Sequence, residues 1–176
     1  MKLITFKEFI EEDKDIKSNN DKLEKVYRLL SSINNFRVSK SIDEYLPNSY
    51  LFVQIPINSK FKEDFKKINL GIRIYVINKK LSFRLQNGFK GNQIGPAKQI
   101  EFQEEIENMI DKGKTEDQAY NEILRNLPNK LKRFMQDVYS NILKKYNNKN
   151  IDQKDMEIER NIITSMWNNL DLDLKL

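Results

Sequence analysis

The chain has 176 residues, of which 39% are hydrophobic and 32% are charged, and its formal net charge is +5. This balance is typical of one globular domain with a charged surface, and it excludes a largely disordered chain. Because the sequence contains neither histidine nor cysteine, a histidine general base, a Ser-His-Asp triad, a disulfide framework and a Cys/His zinc site are excluded. No apolar run approaches the roughly 20 residues that cross a bilayer, so we expect no membrane contact. We also expect a cytoplasmic protein that needs no cofactor.

The N-terminal part predicts short helices that polar segments separate. Thr5 and Glu8 have the spacing of a capping box, and together with the apolar stripe of residues 5–12 they predict a first helix. Residues 13–21 are polar and predict a loop, and residues 23–33 repeat apolar side chains at helical spacing. A second capping-box spacing predicts a short helix at residues 41–47, which proline ends.

The central part changes to the alternating pattern of β-strands. Residues 50–56 and 69–77 predict two strands, and residues 80–86 predict the return strand of an antiparallel hairpin. Between the first two strands, residues 59–67 predict one or two turns of helix. The glycine-rich residues 87–97 predict a loop.

The C-terminal half returns to helical periodicity. Helices are predicted at residues 99–112, 115–124, 128–143 and 156–170, with Gly113 ending the first and an Asn/Lys-rich hinge at 144–154 preceding the last. We therefore predict an α+β fold, in which a small antiparallel sheet is flanked by N-terminal helices and a C-terminal set of three to four helices. A single domain spans residues 1–176, with a helical part at 1–47, a basic β-module at 48–98, a helical part at 99–146 and a C-terminal helix within 152–170.

Positive charge is concentrated around the predicted sheet. Residues 58–98 contain ten basic and two acidic side chains, a net charge of +8, whereas the rest of the chain carries −3. Strand alternation places Arg73, Tyr75 and Arg84 on the open face of the hairpin. Single-stranded nucleic acid requires cations for its phosphates and rings for its bases. The candidate binding residues are Arg73, Tyr75, Lys79, Lys80, Arg84, Phe89, Lys90 and Lys98.

Ordinary structural roles stand beside this interpretation. Lysines on an exposed sheet face are common and prevent edge-to-edge aggregation, so a solvated face or a protein-binding surface is the alternative for the basic module. The acidic residues between Glu101 and Asp111 are typical of a helix surface, and we predict no metal site there. Trp167 and the alternating tail at residues 168–176 either complete this protein's own core or dock on a partner.

The first twelve residues resemble a bacteriophage leader. The segment Thr5–Glu12 (TFKEFIEE), preceded by Met1-Lys2, resembles the capsid-targeting sequence of internal head proteins in T-even-type bacteriophages, approximately M-K-T-aromatic-x-E-F-I-x-E. Leu3-Ile4 are extra relative to that pattern, and the resemblance covers about 12 of the 176 residues. It implies docking on the prohead scaffold and cleavage by the head-maturation protease after Glu12, the last residue of an apolar-x-Glu triplet.

These patterns predict a non-enzymatic phage-type accessory protein, located in the host cytoplasm or packaged inside the virion. Its basic module would bind single-stranded nucleic acid or an acidic host factor. One alternative is a protein-binding inhibitor of a host system or a structural virion component. The other is a carboxylate- and Mg²⁺-dependent enzyme, which requires three or more acids facing into one pocket. The sequence leaves the oligomeric state open.

Overall fold

The computed structural model describes residues 6–32, 37–54, 70–77, 80–87, 93–146 and 153–172. Within these ranges it contains five helices and one five-stranded antiparallel sheet, so the predicted α+β class is confirmed. The helices are α1 (Phe6–Ser31), α2 (Gln103–Asp111), α3 (Glu116–Ile123), α4 (Leu127–Tyr146) and α5 (Gln153–Asn169). The strands are β1 (Arg37–Ser41), β2 (Tyr50–Gln54), β3 (Leu70–Ile77), β4 (Lys80–Asn87) and β5 (Lys98–Ile100).

Each strand of the sheet pairs with the next strand along the chain, in the order β1-β2-β3-β4-β5. The pairing of β3 with β4 runs from Leu70 opposite Asn87 to Ile77 opposite Lys80, which confirms the predicted hairpin. One face of the central strands is aliphatic and buried against the helices, through Leu51, Val53, Leu70, Ile72, Ile74, Val76, Leu81, Phe83 and Leu85. Because side chains alternate along a strand, the intervening residues lie on the opposite face.

The helices bury their apolar stripes on the aliphatic face of the sheet, and the buried side chains form a single hydrophobic cluster. Trp167 of α5 is fully buried in this cluster, where its Nε1 donates a hydrogen bond to the carbonyl oxygen of Pro96 at 2.7 Å. Its ring also packs edge-on against Phe134 of α4, with 5.4 Å between ring centroids. Leu172 is buried too. Trp167 and the start of the tail therefore complete this protein's own core.

The predicted loop at residues 13–21 is wrong, because α1 is continuous from Phe6 to Ser31. This stretch contains no glycine or proline that would break a helix. Its polar side chains, such as Lys14, Asp15 and Lys17, are exposed to solvent. A polar segment without a breaker can thus remain helical when its side chains face water.

The predicted short helix at residues 41–47 is also wrong. Ser41 is the last residue of β1, and residues 42–49 form the loop that leads to β2. The carboxylate of Asp43 accepts a hydrogen bond from the amide of Tyr45 at 2.9 Å. Such a local turn competes with helix formation.

The C-terminal helices follow the prediction more closely. The helix predicted from residue 99 begins only at Gln103, because residues 98–100 form β5. Gly113 ends α2 with a φ of 90°, and its amide donates to the carbonyl of Ile110 while that of Lys114 donates to Met109, the two bonds of a Schellman motif. The helix predicted at residues 115–124 is α3, which begins with a capping box formed by Thr115 and Gln118.

The predicted hinge has different bounds in the structure, and some other predicted segments lie outside the described residues. The predicted hinge is shorter than expected, since α4 extends to Tyr146 and α5 begins at Gln153. The helical turns predicted at residues 59–67 and residues 88–92 of the predicted glycine-rich loop lie outside the described residues. No helix in the described ranges is both long and apolar enough to span a membrane.

Candidate functional site

The five candidate binding residues that the structure describes do not form one continuous surface. Of the eight, the structure describes Arg73, Tyr75, Lys80, Arg84 and Lys98. Lys79, Phe89 and Lys90 lie outside the described residues. The backbone of Glu12, the implied processing residue, lies within the first turns of α1.

Arg73, Tyr75 and Arg84 lie together on the face of the sheet opposite the helices, and Tyr50 of β2 joins them. We call these four residues the arginine–tyrosine cluster. Arg73 and Arg84 occupy directly opposite positions on β3 and β4. The guanidinium of Arg73 lies 4.3 Å from the ring centroid of Tyr50, and its Nη1 donates to the hydroxyl of Tyr75 at 3.1 Å. The guanidinium of Arg84 lies 5.0 Å from the ring centroid of Tyr75.

The two tyrosine rings thus position the two guanidinium groups. The ring centroids of Tyr50 and Tyr75 are 5.9 Å apart and the rings are tilted by 52°. An arginine over an aromatic ring is attracted by about 0.5–1 kcal/mol at exposed sites and by more when desolvated. All four residues are half-buried. The cluster therefore presents two cations in a defined arrangement on a rigid sheet.

The two arginines of the cluster carry like charges at directly opposite positions. In the described part of the chain no acidic side chain forms an ion pair with Arg84, and its buried Nε makes no hydrogen bond. An anion that contacted both guanidinium groups would be attracted by two positive charges. The arrangement is consequently suited to binding a phosphate or a carboxylate.

Lys80 lies on the same face of β4 as Arg84, but its charge has a partner within the protein. It forms an ion pair with Glu101, the residue that directly follows β5. Within the sequence these two residues are far apart, but the β4–β5 pairing brings them to the same end of the sheet. The charge of Lys80 is therefore balanced within the protein.

Lys98 does not extend the cluster, because it lies on the other face of the sheet. It is paired in register with the buried Phe83. Its Nζ donates hydrogen bonds to the carbonyl oxygens of Asn168 at 3.1 Å and Leu170 at 2.8 Å, at the C-terminal end of α5. A cation is favourable at this end of a helix. Burial lowers the pKa of Lys98, although Asp171 opposes the shift. Lys98 is therefore a capping residue that attaches α5 to the sheet.

Tyr50 was not among the predicted site residues, although its position followed from strand alternation. On β2 it shares a face with Phe52, and Phe52 is paired in register with Arg73. Phe52 is 1% exposed, and its ring packs directly on Gly71 of β3. Alternation counted outward from the buried Leu51 and Val53 would have added Tyr50 to the cluster.

The acidic residues of α2 do not form a second site. In the ranges that the structure describes, no three acidic side chains are grouped closely enough to hold a metal ion. Gln103 donates a hydrogen bond to Glu107 at 3.0 Å, and Glu101 is paired with Lys80. These contacts are those of an ordinary acidic helix surface.

Comparison of the chain with protein-family models, curated proteins and solved structures gave no match. Any functional inference therefore depends on the side chains themselves. The most distinctive arrangement among them is the pair of guanidinium groups that Tyr50 and Tyr75 hold on the face of the sheet opposite the helices.

Proposed function

We propose that this protein is a non-enzymatic binding module that holds the phosphate backbone of single-stranded nucleic acid on the arginine–tyrosine cluster. The observation that carries the proposal is the directly opposite placement of Arg73 and Arg84, each stacked on a tyrosine. The guanidinium fork matches the geometry of phosphate oxygens. Because neighbouring strands are about 4.8 Å apart, both forks can engage one phosphate group.

The tyrosine stacking favours a single strand over a duplex or an acidic protein. Unpaired bases stack on aromatic rings and on the planes of arginine guanidinium groups. Here the rings fix those planes before any ligand arrives, which lowers the ordering cost of binding. The net charge of +8 that residues 58–98 carry in the sequence supports a long polyanion as the ligand. A carboxylate-rich protein would use the charges but not the stacking planes.

The decisive experiment measures binding of a fluorescent 20-nucleotide single strand at several salt concentrations. The double variant R73Q/R84Q is compared with R125Q/R133Q, which removes the same charge from two exposed arginines outside the cluster. For single strands, log K falls with log salt by about 0.7 per neutralised phosphate. We expect R73Q/R84Q to reduce this slope by about 0.7, because the two arginines together neutralise one phosphate, and R125Q/R133Q to leave it unchanged.

Three results would contradict the proposal. The first is that the wild-type protein does not bind at low salt. The second is that both double variants lose affinity equally, and the third is that polyglutamate competes as well as the single strand. The last result would identify an acidic protein as the partner. A duplex of the same sequence serves as the comparison for strand preference.

We further propose, from the resemblance of residues 5–12, that the protein is a phage-type accessory protein carried in the virion. The bond between Glu12 and Asp13 lies within α1, so a protease that binds extended chain must first unwind the start of this helix. Incubation with a head-maturation protease should release a product that begins at Asp13, and the E12Q variant should resist. An uncut wild-type chain under conditions that process a known head protein would exclude this part of the proposal.

A further inference from the structure

The loop that joins β1 to β2, residues 42–49, exposes apolar side chains that the proposed function does not use. Tyr45 is 81% exposed and Leu46 is 50% exposed, and Pro47 follows them at the surface. The other large exposed hydrophobic residues in the described ranges, Ile110 and Ile162, are single side chains on helices. Scattered exposed apolar residues are normal, but a consecutive exposed pair at a loop tip needs an explanation.

Hydrogen bonds fix the backbone that carries this pair. The Asp43 carboxylate accepts from the amide of Tyr45 at 2.9 Å, and the Asp43 carbonyl accepts from the side-chain amide of Asn20 on α1 at 2.6 Å. The buried hydroxyl of Ser49 accepts from the Asp43 amide at 3.1 Å and lies 3.1 Å from the carbonyl oxygen of Leu46. Tyr45 and Leu46 are therefore presented on a preformed loop, and little further ordering is needed for binding.

The charge around the pair is negative in an otherwise positive chain. Asp43 and Glu44 immediately precede Tyr45 and are exposed, and neither forms an ion pair within the described residues. The nearest basic side chain along the sequence, Lys40, contacts Glu24 at 2.9 Å and lies 4.3 Å from the ring centroid of Tyr27. Two uncompensated carboxylates oppose contact with nucleic acid or with an anionic lipid surface.

We propose that Tyr45 and Leu46 are the centre of a second interaction surface, which inserts into an apolar cleft bordered by lysine or arginine residues on a protein partner. Tyrosine is enriched among the residues that dominate binding energy at protein interfaces. Complementary charges at the edge of an interface set orientation and association rate, which assigns that role to Asp43 and Glu44. This surface acts independently of the arginine–tyrosine cluster.

The test places a photo-crosslinking amino acid at position 45 of the full chain, inside cells that produce the protein, with position 110 as the control. A protein that is crosslinked only from position 45 is identified, purified and titrated with the wild-type chain. The same titration is made with Y45A, with E44K and with the control I110S. Because Tyr45 and Ile110 are exposed, circular dichroism should find all of these variants folded.

We expect Y45A to weaken the complex at least tenfold, as for a central interface residue, and E44K to slow association. I110S should bind like the wild type, and Y45A should bind single-stranded nucleic acid unchanged. The inference is overturned if position 45 crosslinks no protein beyond those found from position 110. It is equally overturned if the purified partner binds Y45A as tightly as wild type, or if E44K strengthens binding.

Discussion

Replacing Gly71 with alanine tests the packing beside the arginine–tyrosine cluster. A methyl group at this position would overlap the ring of Phe52, since its three nearest ring atoms would all lie within 2.8 Å of the new carbon. Cβ atoms essentially never contact another heavy atom below 3.0 Å, so the ring or the strand must move. Phe52 is paired in register with Arg73, and a displaced ring would disturb the cluster as well.

The expected magnitude follows from two opposing effects. Overpacking a well-packed site costs about 1–3 kcal/mol. Alanine in a strand gains roughly 0.5–1 kcal/mol over glycine through the unfolded chain, and the φ of Gly71 lies outside the left-handed region, so backbone strain adds nothing. We therefore expect G71A to lower the free energy of unfolding by about 1–2 kcal/mol. A chain of this size should then melt about 2–8 °C lower.

Urea denaturation of a double-mutant cycle isolates this contact. F52A alone should cost about 3–5 kcal/mol, but G71A/F52A should cost less than the sum of the two, because the methyl group enters space that the ring has left. The control is G113A, which strains a residue with a φ of 90° but meets no atom within 4 Å, and which should be additive with F52A. A stabilising G71A, or additive effects of G71A and F52A, would refute the packing described here.

Three further predictions concern Tyr120, Lys98 and the two arginines of the cluster. Tyr120 is buried and its hydroxyl finds no hydrogen-bond partner in the described part of the chain. The variant Y120F should therefore raise the free energy of unfolding by about 1 kcal/mol. A loss of stability in urea denaturation would contradict this. Burial, with a contribution from Glu116, raises the pKa of Tyr120 above its ordinary value of 10.0. As the pH rises, the unfolded chain therefore loses this proton before the folded chain does. The stability of the wild type should consequently fall above about pH 10 more steeply than that of Y120F. K98M should cost roughly 1 kcal/mol by removing the cap of α5, with faster hydrogen exchange confined to the end of that helix, and uniform exchange would argue against it. R73K/R84K keeps the charge but loses the planar fork and its stacking, so single-strand affinity should fall severalfold at constant salt, whereas unchanged affinity would mean that charge alone matters.

The parts of the fold that the sequence predicted are those in which local pattern and tertiary burial agree. In the β3–β4 hairpin every second side chain is hydrophobic and buried, so the period-two pattern is clear. The α3 helix has a complete capping box at Thr115 and Gln118. Both signals arise from residues close together in sequence.

The edges of the sheet could not be predicted in the same way. In β1 only Val38 is apolar, and β5 has only three residues. The sequence pattern of neither strand distinguishes it from a loop or from the end of a helix. Most of the stability of such a strand comes from pairing with its neighbour in the sheet. Assigning residue 99 to a helix then hid the register that places Lys98 on the core face. The error in the site therefore came from an error at a strand edge.

The net charge of a segment reflects how many cations it contains but not where their charged groups lie in the fold. In this protein the described basic residues of the β-module divide by chemistry as well as by position. The flexible, point-charged lysines are used within the fold, Lys80 in an ion pair and Lys98 on helix carbonyls. The planar arginines stack on tyrosines at directly opposite positions, on the face of the sheet away from the helices. A fold that places two cations in register, and orders them with rings, offers two fixed positive charges to one anionic ligand. It is this arrangement, and not the total of positive charge, that makes this face of the sheet the candidate binding site.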